Sequence, residues 1–224
     1  MKAVDRAHYP IQPILPDILR KRRPNRGFEN LALSRDGKTA YAILQSPMGD
    51  AKDPRFVNSR IVRAIEFDLT DPLHAKITGM FLIRTSVYTD YPGNKRQDQV
   101  KFNDAEWLAL RKLLLLEQAK GRAQLIVADF NGATNVLNNP DADTLRFEDT
   151  STDLAALKIS PAQTISIFST ADIPAIDSDK LEGLVLLGKD EIALSNDNDF
   201  GIGENESAQP SKIWVIRLPS FFHQ

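Results

Sequence analysis

The chain has 224 residues, of which 42% are hydrophobic and 26% are charged, and its formal net charge at pH 7 is -2. This length predicts one large domain or two small ones, at roughly 100–200 residues per domain. The balanced charge argues against nonspecific binding to nucleic acid or to an anionic membrane surface. The absence of cysteine excludes a disulfide scaffold, a thiolate nucleophile and a cysteine-based metal site. The first twenty residues lack an apolar core for a signal peptide, and no run approaches the roughly 20 apolar residues of a membrane span, so we expect neither feature.

Short strands are predicted along most of the chain. Residues 1–20 are interrupted by Pro10, Pro13 and Pro16, which predicts an irregular N-terminal segment. The dipeptide Asp36-Gly37 between two apolar runs predicts a hairpin that pairs residues 31–33 with residues 39–44. Further strands are predicted by β-branched and aromatic residues at 60–69, 75–83, 124–129, 164–168, 184–187, 191–195 and 212–218.

One helix is predicted, over residues 104–120. Its apolar residues fall close to helical spacing, Asp104 is a suitable cap, and Gly121 follows the predicted end. A strand ending in a loop is the alternative, because the run Leu113–Leu116 also suits a buried strand.

Many short strands joined by Gly, Asp and Pro turns favour an all-β architecture. Residues 27–33 and 180–186 share an apolar–Glu–small–Leu pattern, and each copy is followed by a turn and a second strand. The two copies are separated by about three repeats of roughly 40–50 residues, which is the repeat length of propeller blades. We therefore predict a single domain, residues 1–224, built as a β-propeller of four-stranded antiparallel blades.

Four segments carry a family resemblance: RRPNRGFENLALSRDG at 22–37, QSP at 45–47, KLEGL at 180–184 and SNDNDFG at 195–201. They resemble the C-terminal part of the domain of the phytase-like β-propeller family, which is often described as having esterase-like activity. Asn30 stands where the family usually has Gly. The family's Glu–Arg–Asp triplet after a buried strand would fall at Val127–Phe130, where its Glu and Arg are missing.

The resemblance implies a hydrolase that acts on phosphate or other esters through a calcium-type metal site, with a small ester or phosphoester as its partner. Six blades are expected of the family, whereas this length accommodates about four to five, so an incomplete ring is expected. An open ring exposes strand edges and predicts a homo-oligomer or a partner that supplies the missing blades. Family members are usually periplasmic or secreted, but no signal peptide is found here, so the compartment stays open. The alternative to an enzyme is a noncatalytic, metal-stabilised propeller that binds a ligand or protein, or a truncated fragment.

Carboxylates on inner strands are the predicted metal ligands. Glu29 and Glu182 lie in apolar strand motifs, where a carboxylate needs a cation or hydrogen-bond donors. Asp197 and Asp199 follow in an oxygen-rich loop, and such oxygen ligands suit calcium. The alternatives are that each Glu accepts backbone N–H bonds or pairs with an Arg, and that the Asp residues form a plain turn.

The remaining site residues are predicted as substrate contacts or catalytic groups. Arg26 is predicted either to bind a phosphate group bidentately or to neutralise Glu29. Gln45 and Asn198 are predicted as further substrate contacts. The catalytic groups stay unassigned, with Glu29, Glu182 and Arg26 as candidates, because no histidine lies near a motif and no nucleophile elbow is present.

Overall fold

Eleven β-strands in three antiparallel sheets make up most of the regular structure of the computed structural model, which describes residues 11–177, 180–198 and 210–218. The strands are β1 (Phe28–Leu33), β2 (Thr39–Leu44), β3 (Ile61–Asp68), β4 (Lys76–Arg84), β5 (Lys101–Ala109), β6 (Lys112–Ala119), β7 (Arg122–Asp129), β8 (Gln163–Ser169), β9 (Leu181–Leu186), β10 (Glu191–Asn196) and β11 (Ile213–Arg217). The helices are α1 (Pro54–Val57) and short 3₁₀ turns at Asp17–Lys21, Pro72–His74, Tyr88–Asp90, Gln97–Gln99 and Thr170–Asp172. None of these helices is long and apolar enough to cross a membrane.

Each sheet is a meander of consecutive strands. The first sheet has the order β1-β2-β3-β4, the second β5-β6-β7-β8, and the third β9-β10-β11. The all-β fold class predicted from the turn pattern is therefore confirmed. Three sheets form in the described residues, and residues 130–162 connect β7 to β8 without forming a strand. The predicted arrangement of four to five blades stays a prediction.

The predicted hairpin between β1 and β2 is confirmed. Gly37 has a φ of 71°, a left-handed conformation that glycine adopts without strain. The Asp36 carboxylate accepts hydrogen bonds from the Ser34 hydroxyl at 2.7 Å and the Lys38 N–H at 3.1 Å. These contacts hold the turn, so this element follows from local sequence.

The predicted helix at 104–120 is wrong, because this segment forms most of β5 and β6. A turn with Arg111 at a φ of 58° joins the two strands. Leu113 and Leu115 pack in the core between the first and second sheets, whereas Leu114 and Leu116 pack in the core between the second and third. A strand buried on both faces is apolar at every position, which removes the alternation that distinguishes it from a helix.

The sheets lie side by side with their first strands adjacent: β1 contacts β5, and β5 contacts β9. Backbone groups of residues 130–162 follow the outer strand of the first sheet, where the Val136 N–H donates to the Met80 carbonyl and the Ala162 N–H donates to the Leu82 carbonyl, both at 2.8 Å. This connection covers the edge that β4 would otherwise expose. The first strands, in contrast, bring their starting residues to one end of the molecule.

Candidate functional site

Charged side chains meet where β1, β5 and β9 begin. Lys101 at the start of β5 forms an ion pair with Glu182 at the start of β9, with 3.5 Å between Nζ and Oε1. Lys180, just before β9, donates to the Asp197 carboxylate at 2.8 Å. We call this end of the three strands the rim; its charged residues are Arg26, Glu29, Lys101, Lys180, Glu182 and Asp197.

Arg26 is the rim residue whose hydrogen bonding is incomplete. Its Nη1 is buried and has no hydrogen-bond partner in the described part of the chain. Burial lowers the pKa of the guanidinium, while the nearby carboxylates of Asp98 and Glu29 act in the opposite direction. Buried polar atoms nearly always have a partner, so the missing partner of this nitrogen marks Arg26 as the candidate anion-binding residue of the rim.

Lys101 adds a second cation to the rim. Burial lowers the pKa of its ammonium group; Glu182 opposes this shift, and the positive charges of Arg26 and Lys180 contribute to it. The rim therefore combines a guanidinium and two ammonium groups within electrostatic reach of one another.

The structure brings most of the residues predicted as site residues to this end. Glu29 is exposed at an irregularity in the pairing of β1 with β2, near Arg26. Glu182 and Asp197 each face a lysine. Asn198 is partly buried in the loop after β10, and Asp199 lies outside the described residues.

Gln45 lies beneath the rim in a buried amide network. Its N–H donates to the Gly27 carbonyl at 2.8 Å, and its carbonyl accepts from the Phe102 N–H at 2.9 Å. Its side chain contacts that of Asn103, which donates to the Leu181 carbonyl at 2.7 Å. Gln45 thus fixes the positions of β1 and β5, and this placement favours a positioning role over direct contact with a substrate.

The described carboxylates do not fit a calcium ion by themselves. Across residues 11–177, 180–198 and 210–218, no group of three or more His, Asp or Glu side chains is placed to hold a metal ion. Glu182 and Asp197 have ammonium partners instead, whereas calcium takes six to eight oxygen ligands. Since Asp199 lies outside the described residues, the calcium site stays a prediction.

Two carboxylates of β5 accept hydrogen bonds from backbone N–H groups of the third sheet. Asp104 accepts from the Leu184 N–H at 2.7 Å, and Glu106 accepts from the Leu186 N–H at 3.4 Å. Burial raises the pKa of both carboxyl groups. Sequence reasoning missed them because it assigned this segment to a helix; the alternation of polar and apolar residues along 104–107 was the available signal.

Glu117 is another buried carboxyl group that the sequence analysis did not identify. It follows the buried run Leu113–Leu116 in β6 and accepts from the Ser86 N–H at 2.8 Å and from the Tyr91 hydroxyl at 2.6 Å. Burial raises the pKa of Glu117.

Comparisons with known proteins indicate the family of the chain. The model of the phytase-like family, described as "esterase-like activity of phytase", matches residues 2–200. An "Uncharacterized secreted protein" of Arthroderma benhamiae is 32% identical over 69 residues, which are 31% of this chain and 13% of that protein. The match therefore covers only a small part of that relative. No solved structure matches this chain. Because the family match covers most of the chain, the protein belongs to the phytase-like family.

Proposed function

We propose that the protein is a hydrolase of phosphate esters or other anionic esters, and that its three sheets are blades of a β-propeller. Consecutive meanders with adjacent first strands are the arrangement that propeller blades have. The rim then lies at one mouth of the central channel.

The buried Nη1 of Arg26, which has no hydrogen-bond partner among the residues that the structure describes, carries the proposal. A guanidinium binds phosphate and carboxylate oxygens through parallel hydrogen bonds, and Lys101 supplies a second positive charge nearby. The family description supports ester hydrolysis as the reaction.

In this proposal, Arg26 and Lys101 stabilise the negative charge that develops on the ester oxygens in the transition state. Glu29 is exposed near Arg26 and accepts the proton of the attacking water as the general base. Glu182 holds Lys101 in place through its ion pair.

A noncatalytic binding module is the second candidate. Glu182 and Asp197 are already neutralised by lysines, which leaves fewer free carboxylates for acid–base chemistry. Such a module would bind the same anions at Arg26 without turnover.

Hydrolysis of p-nitrophenyl phosphate, an anionic ester, separates the two candidates. We expect turnover by the wild type and a kcat/KM at least about tenfold lower in Arg26→Ala, because hydrogen bonds to charged groups contribute about 1.5–3 kcal/mol. We expect a kcat about 10²–10⁴-fold lower in Glu29→Gln. Arg20→Ala, which removes an arginine that pairs with Asp17 on the surface, is the control and should match the wild type. Binding without turnover would establish the noncatalytic module, and neither binding nor turnover would overturn both.

Thermal unfolding in the presence of calcium and in the presence of a chelator tests whether the protein binds calcium. Because Glu182 and Asp197 have ammonium partners at 3.5 Å and 2.8 Å, we expect calcium alone to leave the melting temperature unchanged. A ligand at about 100 times its dissociation constant stabilises the folded state by about 2.7 kcal/mol, so a bound ion would be evident. A calcium-dependent rise of several degrees would support the calcium site that the sequence predicts, with Asp199 among its ligands.

A further inference from the structure

We propose a second binding site, a groove between the second and third sheets that takes an amphipathic anion with an apolar chain and one carboxylate, such as a medium-chain fatty acid. The groove has a volume of ≈ 730 Å³, within the roughly 300–1,000 Å³ typical of small-molecule sites. Its apolar walls are Leu108, Leu110, Val127, Ile165, Ile167 and Leu186.

The groove is distinct from the rim. It lies where β5, β7 and β9 end and where β8 begins, whereas the rim lies where β1, β5 and β9 begin. The nine residues of β5 separate the two ends by on the order of 25 Å at about 3.3 Å per residue. A ligand in the groove therefore does not occupy the Arg26 site.

Part of the apolar lining is largely exposed to solvent. Leu110 is 72% exposed and Ile165 is 66% exposed. The third sheet has three strands in the described part of the chain, so β8 of the four-stranded second sheet is left uncovered. Contiguous exposed apolar surface in a concave position is typical of a binding site.

The charged residues of the groove favour a ligand with an anionic head group. Arg35 and Lys189 lie at the groove, and neither forms an ion pair within the described residues. The groove carboxylate, Asp129, is already engaged by Lys112 at 3.4 Å and by the Asn131 N–H at 2.9 Å. The uncompensated charge is therefore positive and complements an anion.

An adjoining cavity of ≈ 410 Å³ shares Arg35 and Lys189 with the groove. Its carboxylate, Glu106, accepts a hydrogen bond from the Leu186 N–H at 3.4 Å. The two cations thus stand between an apolar groove and a polar cavity, which orients a ligand with its chain in the groove and its carboxylate at Arg35 and Lys189.

Isothermal titration of the full chain with dodecanoate, below its micellar concentration, tests the site. We expect saturable binding to the wild type, at least tenfold weaker binding to the double variant Arg35→Glu/Lys189→Glu, and at least tenfold weaker binding to Ile165→Asp. Dodecyltrimethylammonium, with the same chain and a cationic head, should bind at least tenfold more weakly than dodecanoate.

Three controls make the outcome specific. Ile213→Asp places the same charge at an apolar residue of β11 that is 75% exposed and outside the groove, and Lys76→Glu/Lys120→Glu makes the same charge change elsewhere. Both should bind dodecanoate within twofold of the wild type, as should Arg26→Ala, which separates this site from the rim. No binding of dodecanoate, equal binding by the Arg35/Lys189 variant, or equal loss in Ile213→Asp would overturn the proposal.

Discussion

The side chains of Arg63 and Glu148 form a fully buried ion pair between β3 and the 130–162 connection. Two hydrogen bonds join them, Nε to Oε1 at 2.7 Å and Nη2 to Oε2 at 2.9 Å, and both side chains are 0% exposed. Arg63 also donates to the carbonyls of Ala142 and Thr144. The pair fixes the connection onto the first sheet because each charge has its partners only in this arrangement.

Glu148→Ala should destabilise the fold by about 3–5 kcal/mol, because it leaves the Arg63 guanidinium buried without its counter-ion. Replacing both residues, as in Arg63→Met/Glu148→Leu, should recover much of that loss, since no charge then stays buried. Urea denaturation gives the comparison. Asp141→Ala, which breaks the surface pair with Arg146, is the control and should cost less than about 1 kcal/mol. Equal stability of Glu148→Ala and the control would contradict this account.

Glu117 predicts a pH dependence with a defined sign. Burial raises its pKa above the ordinary value of about 4.3, so the folded state retains a proton that the unfolded state has lost. The stabilisation from this proton is fully present below the unfolded pKa and is lost as the pH rises from about 4.3 through the raised folded pKa. Glu117→Gln, which cannot ionise, should therefore lose less stability than the wild type over this window.

Denaturation midpoints measured at a series of pH values from 4 upward give the difference curve between wild type and Glu117→Gln. Glu191→Gln removes a negative charge that pairs with Arg217 at the surface and is the control. A difference curve with no slope would show that Glu117 titrates alike in the folded and unfolded states.

At the scale of elements, Asn30 joins three strands. It lies in β1 with 1% of its surface exposed, and its side-chain amide donates to the carbonyls of Ile43 in β2 at 3.3 Å and Phe102 in β5 at 3.1 Å. The residue that departs from the family pattern therefore links the first two sheets directly beneath the rim.

Asn30→Ala should cost about 1–3 kcal/mol, because two hydrogen bonds are lost at a buried position. Leu31→Ala changes the neighbouring side chain, which is 68% exposed, and should have a much smaller effect. The free energies of unfolding of the two variants, from chemical denaturation, give the test. Equal effects would mean that the Asn30 amide does not couple the sheets.

The elements also show how far the sequence predicts this fold. The β1–β2 hairpin was predictable because Asp36 and Gly37 set the turn locally. Residues 104–120 were not, because the leucines of β6 are buried from both sides by sheets distant in sequence. The same limit applies at the rim: the motifs indicated Arg26 and Glu182, but the lysine at 101 that pairs with Glu182 comes from a different sheet, and only the tertiary fold brings the two together.

At the scale of the whole molecule, the three sheets form a row with two cores, one on each side of the second sheet. Apolar side chains are exposed on the first and third sheets, Leu31 and Leu33 in β1 and Ile213 and Val215 in β11. A homo-oligomer or a partner that supplies further blades, as the sequence predicts, would cover such surfaces. That association stays a prediction.

The row also places the Arg26 guanidinium where the first strands of all three sheets begin, and the proposed function depends on an anion that binds there. Isothermal titration with inorganic phosphate measures the binding of an anion at Arg26 most directly. The proteins compared are the wild type, Arg26→Gln and, as the surface control, Arg20→Gln. We predict saturable binding to the wild type and to the control, and at least about tenfold weaker binding to Arg26→Gln, from the loss of a charged hydrogen-bond donor. Equal affinity of the wild type and Arg26→Gln, or no binding of phosphate to either, would contradict the assignment of the rim as the functional site.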